Sequence, residues 1–563
     1  MLPSARPRRL LDLVHSDLSL RCLSRRERIV LGALCLCVLV LLAALQHGRV
    51  FWGDEIGTLR CLKRSPTYIL THFQVWLTMN YFILVEKGVA WLCGAADWRL
   101  TLLPMAAAVA IIPLTASLAL KVTGSTRTAL IAASLAGFNP YLVAWGPAIR
   151  AYSLLVALNL LAINEFFRWA RRRDWWSGVR CAAAVLLLLI AHMNGAYTVA
   201  FLILLLIAES ISAGFFNGRR FLWQSRTLWI PLAGVAIIVG AAYWRLLPDI
   251  AKLNREWGTV SPPASIDYIP QLFTAYMGVG RAALLCMLLL LAGCWSAIRE
   301  KRALLMLCGA IILAPILMSL QGISVDKSNY ARFLVFSLPL LLILMAEGID
   351  WLARHVWVRG GPAVVAWCLT TVIVLCWMPN LQYQFFAKKE WPYAKVGEFL
   401  HRQMQKRDVI VAGWNMGFTL SQFFDRPQDQ IMLPNEYVDR VAKHLDDPAP
   451  GRVFYVTGLA ILNGRKAQVR HFGQLEVTTY RGATARALLQ EWSDDLISRT
   501  RGVVSVPFET DYQLIALLEE QLSSEQSADH WRSLAERCRA LNPARSSEVP
   551  HHLEKVTRAV VFP

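Results

Sequence analysis

Charge is scarce in this sequence. Of 563 residues only 17% are charged, and 39 Asp and Glu face 58 Lys and Arg. A soluble chain of this length needs far more polar surface to cover its core, so an ordinary globular protein is excluded. Zinc-ligand spacings and a glycine-aromatic RNA signature are missing too, so the net charge of +19 does not point to nucleic acid. Internal repeats and low-complexity tracts are also absent. Most of the 12 cysteines lie inside apolar runs, as Cys35, Cys37, Cys181, Cys286, Cys294, Cys308, Cys368 and Cys376 do, where they act as small hydrophobes. The C-terminal region holds only Cys538 and can form no internal disulfide. Cys61 and Cys93 could pair, which spacing alone does not decide.

What is abundant is apolar sequence in long blocks. Hydrophobic residues make up 56% of the chain and the mean hydropathy is +0.41. Runs such as 181–191 and 282–292 signal a bilayer. Spans are expected near 29–46, 100–120, 128–146, 151–168, 179–192, 196–215, 228–244, 281–298, 303–320, 332–349 and 362–379. The chain therefore reads as an α-helical polytopic membrane protein with about eleven transmembrane helices. An arginine-rich segment, 1–28, precedes the first apolar run. No convincing small-residue cleavage site follows it, so the run reads as an uncleaved first helix.

Arginine placement orients the spans. Arg168, Arg171, Arg172, Arg173 and Arg180 face one acid, Asp174, between two spans. Arg219, Arg220 and Arg226 fill the next alternate loop, then Arg299, Lys301 and Arg302, then Arg354 and Arg359. With the basic N-terminus these segments fall on one side, which the positive-inside rule makes cytoplasmic. The other side receives loops 47–99 and 245–280 and a C-terminal domain, 382–563. In that domain 408–413 and 452–457 read as strands, and 391–404 and 485–497 as helices, which gives a small α/β domain outside the cytoplasm. Within the first outer loop, 66–79 reads as an amphipathic helix on the membrane surface. The stretch 81–93 is helix-like, but Glu86 and Lys87 interrupt it, so it does not count as a span.

The sharpest chemical feature is Gly53-Asp54-Glu55, just after the first span. Adjacent carboxylates at a membrane interface are costly unless wet, paired or functional. A carboxylate there can deprotonate an attacking hydroxyl, or simply solvate a helix end. Arg150-Ala-Tyr152 opens the fourth span on the same outer side. Its arginine can hold a phosphate bidentately, or can snorkel beside a belt tyrosine. Arg150 breaks the positive-inside trend, which weighs against snorkelling. Arg332, in Lys327-Ser-Asn-Tyr-Ala-Arg332-Phe333, is again outside and could bind the same phosphate, or anchor the surface. Lys87, His192, Arg245 and Arg281 are further candidates for substrate contact, with Lys252 and Arg255 flanking the second outer loop. His192 and His72 leave a divalent metal open, but no dense ligand cluster demands one.

In this order the motifs resemble the membrane-embedded GT-C glycosyltransferases, specifically the dolichyl-phosphate-mannose protein mannosyltransferase superfamily, which includes the bacterial lipid A aminoarabinose transferase. Asp54-Glu55 is similar to the acidic pair of that family's first outer loop. The segment 94–104, with Gly94, Arg99 and Pro104, is similar to its lead-in to the second span. Arg150-Ala-Tyr152 is similar to its Arg-x-Tyr start of the fourth span, and Tyr330-Ala-Arg332-Phe333 with Leu338-Pro339-Leu340 to its late Arg-Tyr stretch. One departure stands out: relatives carry a His- or Lys-Pro-Pro segment where this chain reads Thr78-Met-Asn-Tyr-Phe82.

The resemblance implies a polyprenyl-phosphate-sugar donor and a lipid, glycan or protein acceptor in the cell envelope. Asp54 would be the base, Glu55 would assist, and Arg150, Tyr152 and Arg332 would hold the donor phosphate. The expected location is the cell inner membrane, with the C-terminal domain periplasmic. Three rival readings remain: a polysaccharide polymerase or ligase; a lipid or sugar transporter, although transporters place ionisable groups nearer the bilayer midplane; and a catalytically dead scaffold with the C-terminal domain as its interaction surface.

Overall fold

The computed structural model describes most residues in 14–47, 51–71, 79–94, 98–212, 225–246, 268–300, 330–356, 361–386 and 392–412, and parts of 419–480. The chain divides into two compact units. One comprises 1–49 and 58–387, the other 50–57 and 388–563.

The first unit is helical. Helix α1 (Arg25–Gln46) starts on a capping box in which the Ser24 hydroxyl accepts from the Glu27 N–H and the Glu27 carboxylate accepts from the Ser24 N–H. Then follow α2 (Gly53–Leu62, whose first turn belongs to the second unit), α3 (Pro66–Thr71), α4 (Asn80–Cys93), α5 (Leu102–Thr123), α6 (Thr126–Phe138), α7 (Pro140–Trp145), α8 (Tyr152–Arg172), α9 (Trp175–Ala191) and α10 (Gly195–Ser212). After them come α11 (Arg226–Tyr243), α12 (Tyr268–Met277), α13 (Arg281–Arg299), α14 (Tyr330–Phe333), α15 (Leu338–Val356) and α16 (Pro362–Phe386). Seven helical stretches among the described residues are long and apolar enough to cross a membrane: 25–46, 102–123, 152–172, 226–243, 281–299, 335–355 and 362–382. Helices α9 and α10 are shorter apolar ones. The chain is a multi-pass membrane protein.

One expectation changes and others are only partly described. The run 128–146 is not one helix. Asn139 leaves helical geometry and its side chain accepts from the Tyr141 and Leu142 N–H groups, so α7 begins afresh with Pro140 as its first residue. Loop 245–280 contains α12. The amphipathic helix expected over 66–79 is described only as α3, because 72–78 lie outside the described residues, as does most of the span expected at 303–320 and the helix expected at 485–497. Cys61 and Cys93 are both unpaired thiols.

Backbone contact holds key helix pairs together. A Cβ on Gly293 would lie 2.0 Å from the Leu344 carbonyl oxygen, and one on Gly348 2.0 Å from that of Leu289, so α13 and α15 touch main chain to main chain. Close approach through glycine is how helices associate where lipid removes the hydrophobic drive. At the arginine-rich end of this pair, Glu347 accepts from Ser296 (2.9 Å), Thr128 (3.2 Å) and Arg354 (3.0 Å), while Asp350 pairs with Arg127 (3.1 Å) and Arg354 (3.3 Å). The buried carboxylates are thus neutralised between α6, α13 and α15.

In the second unit, α17 (Pro392–Gln403) precedes β1 (Val409–Ala412), β2 (Ile431–Met432), β3 (Val453–Thr457), β4 (Gln468–Phe472) and β5 (Leu475–Tyr480). The sheet order is β2-β1-β3-β5-β4, with β2, β1 and β3 parallel and β5 and β4 antiparallel. Val396 and Leu400 of α17 pack with Ile410, Phe454 and Val477. Asp408 fixes the start of β1 to β3. It accepts from the Arg452 guanidinium (2.7 and 3.1 Å) and from the backbone N–H groups of Arg452 and Gln405. Burial works to raise the Asp408 carboxyl, but these bonds outweigh it and hold the group below the usual range.

Candidate functional site

Helices α8 and α9 run between the arginine-rich end and its opposite. Arg150 and Tyr152 at the start of α8 and His192 after α9 therefore share the opposite end. A tight turn builds this region: the Arg150 N–H donates to the Ala148 carbonyl (2.7 Å), and Ser153 donates to the Trp145 carbonyl (3.0 Å), locking α7 against α8. Asn139 donates to the Tyr276 carbonyl (2.9 Å) and Tyr276 donates to the Ala331 carbonyl (2.8 Å). Asn194 donates to the Phe333 carbonyl (2.9 Å), so the His192 turn and the Arg332 segment are tied together.

Inside this frame an aromatic chain runs from Tyr276 to Tyr141 (5.2 Å between centroids), Trp145 (6.2 Å), Tyr152 (4.7 Å) and His192 (5.9 Å). The Arg150 guanidinium lies 5.7 Å over the Tyr152 ring and reaches the Thr58 hydroxyl at 3.4 Å. Arg150 is 3% exposed and Tyr152 1%. Neither is therefore a snorkelling anchor, which would keep its head in water. The Tyr152 hydroxyl is buried without a hydrogen-bond partner. His192 is wholly buried, and its Nδ1 accepts from the Asn194 N–H (3.1 Å), so the ring proton belongs on Nε2. Burial, then the charges of Arg150 and Arg332, push His192 down to about 3. Both guanidiniums therefore lie within electrostatic range of one neutral imidazole. Arg332 itself stands 5.2 Å over Phe333.

The structure thus gathers Arg150, Tyr152, His192 and Arg332. It leaves Arg245 and Arg281 out of that group, exposed beyond the end of α11 and at the start of α13. Lys87 is taken up elsewhere: its ammonium donates to the carbonyl of Leu62 (2.6 Å), the last residue of α2. Asp54 and Glu55 occupy the first turn of α2, where the helix dipole favours negative charge, and both are buried, which rules out a merely solvated helix end. Among the described residues no group of three or more His, Cys, Asp and Glu is placed to hold a metal ion. Sequence reasoning missed Tyr141, Trp145 and Tyr276. Their signal was faint: three aromatics near chain turns, two of them in one apolar run.

No family model matches the sequence, and no curated protein matches it. Solved structures do. ArnT from Cupriavidus metallidurans bound to undecaprenyl phosphate superposes with a TM-score of 0.52 at 14% identity, covering 80% of this chain and 98% of that one. Its apo state gives 0.51 at 13% identity, covering 80% and 97%. The sequence resemblance and the superposition agree, and the chain has the fold of the GT-C membrane glycosyltransferases.

Proposed function

We propose that this protein is a glycosyltransferase that moves a sugar from a polyprenyl-phosphate donor to a cell-envelope acceptor at the outer face of the cytoplasmic membrane. The observation that carries this reading is the convergence of Arg150, Tyr152 and Arg332 around neutral His192. Two guanidiniums and an unpartnered hydroxyl suit a phosphate monoester. The ArnT structure of the same fold is bound to undecaprenyl phosphate, which supports a lipid of that kind.

The chemistry follows from a leaving group that is already a stable anion. Asp54 takes the proton from the acceptor hydroxyl as that oxygen attacks the anomeric carbon. The bond from that carbon to the phosphate oxygen breaks, both electrons leave with the polyprenyl phosphate, and the anomeric centre inverts. Arg150, Tyr152 and Arg332 stabilise the charge that builds on the phosphate, so no general acid is required. Glu55 shapes the site beside Asp54. In this layout 1–28 is cytoplasmic, 29–381 carries about eleven spans, and 382–563 lies outside the cytoplasm. Mass spectrometry of envelope glycolipids and glycoproteins, with the gene intact or replaced by an Asp54→Asn allele, tests the proposal. Loss of one hexose- or pentose-sized increment is expected. Identical spectra, with the variant protein correctly inserted, would overturn it.

A further inference from the structure

Glu86 is the anomaly of the helical unit. It lies on α4, which follows the first apolar run and belongs to none of the candidate spans. Its side chain is wholly buried, and neither carboxyl oxygen has a hydrogen-bond partner. Other buried acids are satisfied: Glu165 pairs with Arg168, Glu347 and Asp350 with Arg354, and Asp408 with Arg452. Asp54 and Glu55 also have partners. Among the described residues Glu86 is therefore the one buried acid whose carboxyl makes no bond. Burying a polar group without a partner is costly, so such a group in a folded chain calls for an explanation.

Position supplies one. Phe82 and Ile83 precede Glu86 by four and three residues and share its face of α4. With Met79 they pack against Ala151, and the Ala151 N–H points at the Met79 sulfur (3.5 Å). The chain neighbours of Ala151 are Arg150 and Tyr152. Glu86 thus lies about one helical turn, roughly 5 Å of rise, along α4 from residues that pack against the Arg150–Tyr152 segment.

The chemistry of the group narrows the ligand. Burial alone pushes the Glu86 carboxyl up to about 8, with no neighbouring charge contributing. At neutral pH it is a carboxylic acid, with one O–H to donate and lone pairs to accept. An anion would find no counter-charge here, and an alkyl chain would leave both oxygens unsatisfied. A hydroxyl, itself both donor and acceptor, matches.

Resting on the glycosyltransferase reading, we infer that Glu86 recognises the carbohydrate part of the substrate, its carboxylic acid hydrogen-bonding a sugar hydroxyl next to the Arg150–Tyr152 phosphate site. The test uses the full-length protein in nanodiscs. Affinity is measured for bare undecaprenyl phosphate and for undecaprenyl phosphate carrying glucose, galactose, mannose or arabinose. Wild type should prefer one sugar lipid over the bare lipid. Glu86→Met should weaken that sugar lipid about tenfold, the loss of one buried hydrogen bond, and leave the bare lipid unchanged. Glu86→Gln, which keeps a neutral donor and acceptor, should stay within about twofold of wild type. In infrared difference spectra the protonated carboxyl band should shift when the preferred sugar lipid is added to wild type and be missing from Glu86→Gln. Equal loss for both lipids in Glu86→Met, no sugar preference in wild type, or a carboxyl band unmoved by the sugar lipid would overturn the inference, and none of them bears on the glycosyltransferase reading. Equal damage from Gln and Met would mean that an ionised carboxylate and a cationic ligand are involved, which also overturns it. Failure of wild type to bind any of these lipids would instead sink the glycosyltransferase reading itself.

Discussion

On the proposed function, replacing Arg150 with methionine separates phosphate recognition from everything else the lipid offers. The side chain is 3% exposed, so methionine fills most of its volume without opening a path for water. Within the protein Arg150 reaches the Thr58 hydroxyl at 3.4 Å and lies over Tyr152 at 5.7 Å, and a thermal melt of the variant checks that the fold survives. Against a phosphate the same guanidinium would make charge-assisted bonds, each worth about 1.5–3 kcal/mol. Arg332 and the Tyr152 hydroxyl remain in the variant, so only one of two cations is lost. A penalty of about 3 kcal/mol follows, or roughly 150-fold in Kd for undecaprenyl phosphate. Arg150→Lys keeps the charge but not the planar fork, and should lose about tenfold. His192 should stay neutral throughout, because burial is the first cause of its depression and the Arg150 charge the second. The assay is lipid binding by the purified protein, with undecaprenol, which has no phosphate, as the control ligand. If Arg150→Met bound undecaprenyl phosphate as wild type does, or lost both lipids equally, the phosphate assignment would be refuted.

Gly293→Ala drives a methyl to 2.0 Å from the Leu344 carbonyl oxygen, where about 3.3 Å is needed. Helices α13 and α15 must part, the Ser296–Glu347 bond stretches, and about 3 kcal/mol of stability is lost; a thermal melt matching wild type would contradict this. Glu86 carries a stability signature of opposite sign to an ordinary carboxylate. Its folded value of about 8 lies above the ordinary 4.5, so the native state holds a proton that the unfolded chain has released. Its contribution is full below pH 4.5 and is lost as pH rises through 8, and Glu86→Gln should remove that slope from melting temperatures recorded across the window. Arg452→Leu strips the buried Asp408 carboxylate of its paired charge and should cost about 2 kcal/mol, read as faster hydrogen exchange in β1 and β3.

How far the sequence alone reaches depends on the kind of signal each element carries. Long apolar blocks between arginines mark α1, α5, α8, α13 and α16 directly, because hydrocarbon thickness and the positive-inside rule act on sequence without regard to packing. The break at Asn139-Pro140 hides within an apolar run, although a cap residue followed by proline is a legible helix start. The β4–β5 hairpin escapes for a different reason. Residues 468–480 mix charged and apolar side chains, and their strand state depends on pairing with β3. Arg150 is conspicuous in sequence because it violates the charge rule, but only its burial excludes a lipid anchor. Glu86 shows the limit most clearly. In sequence it marks α4 as too polar to span a membrane; in the structure the same residue faces inward with Phe82 and Ile83, without a partner. A misplaced charge can be found by reading along the chain. Whether the fold has satisfied that charge or kept it open for a ligand is decided by neighbours distant in sequence, here Ile69, Leu103 and Ala151 around the buried face of α4.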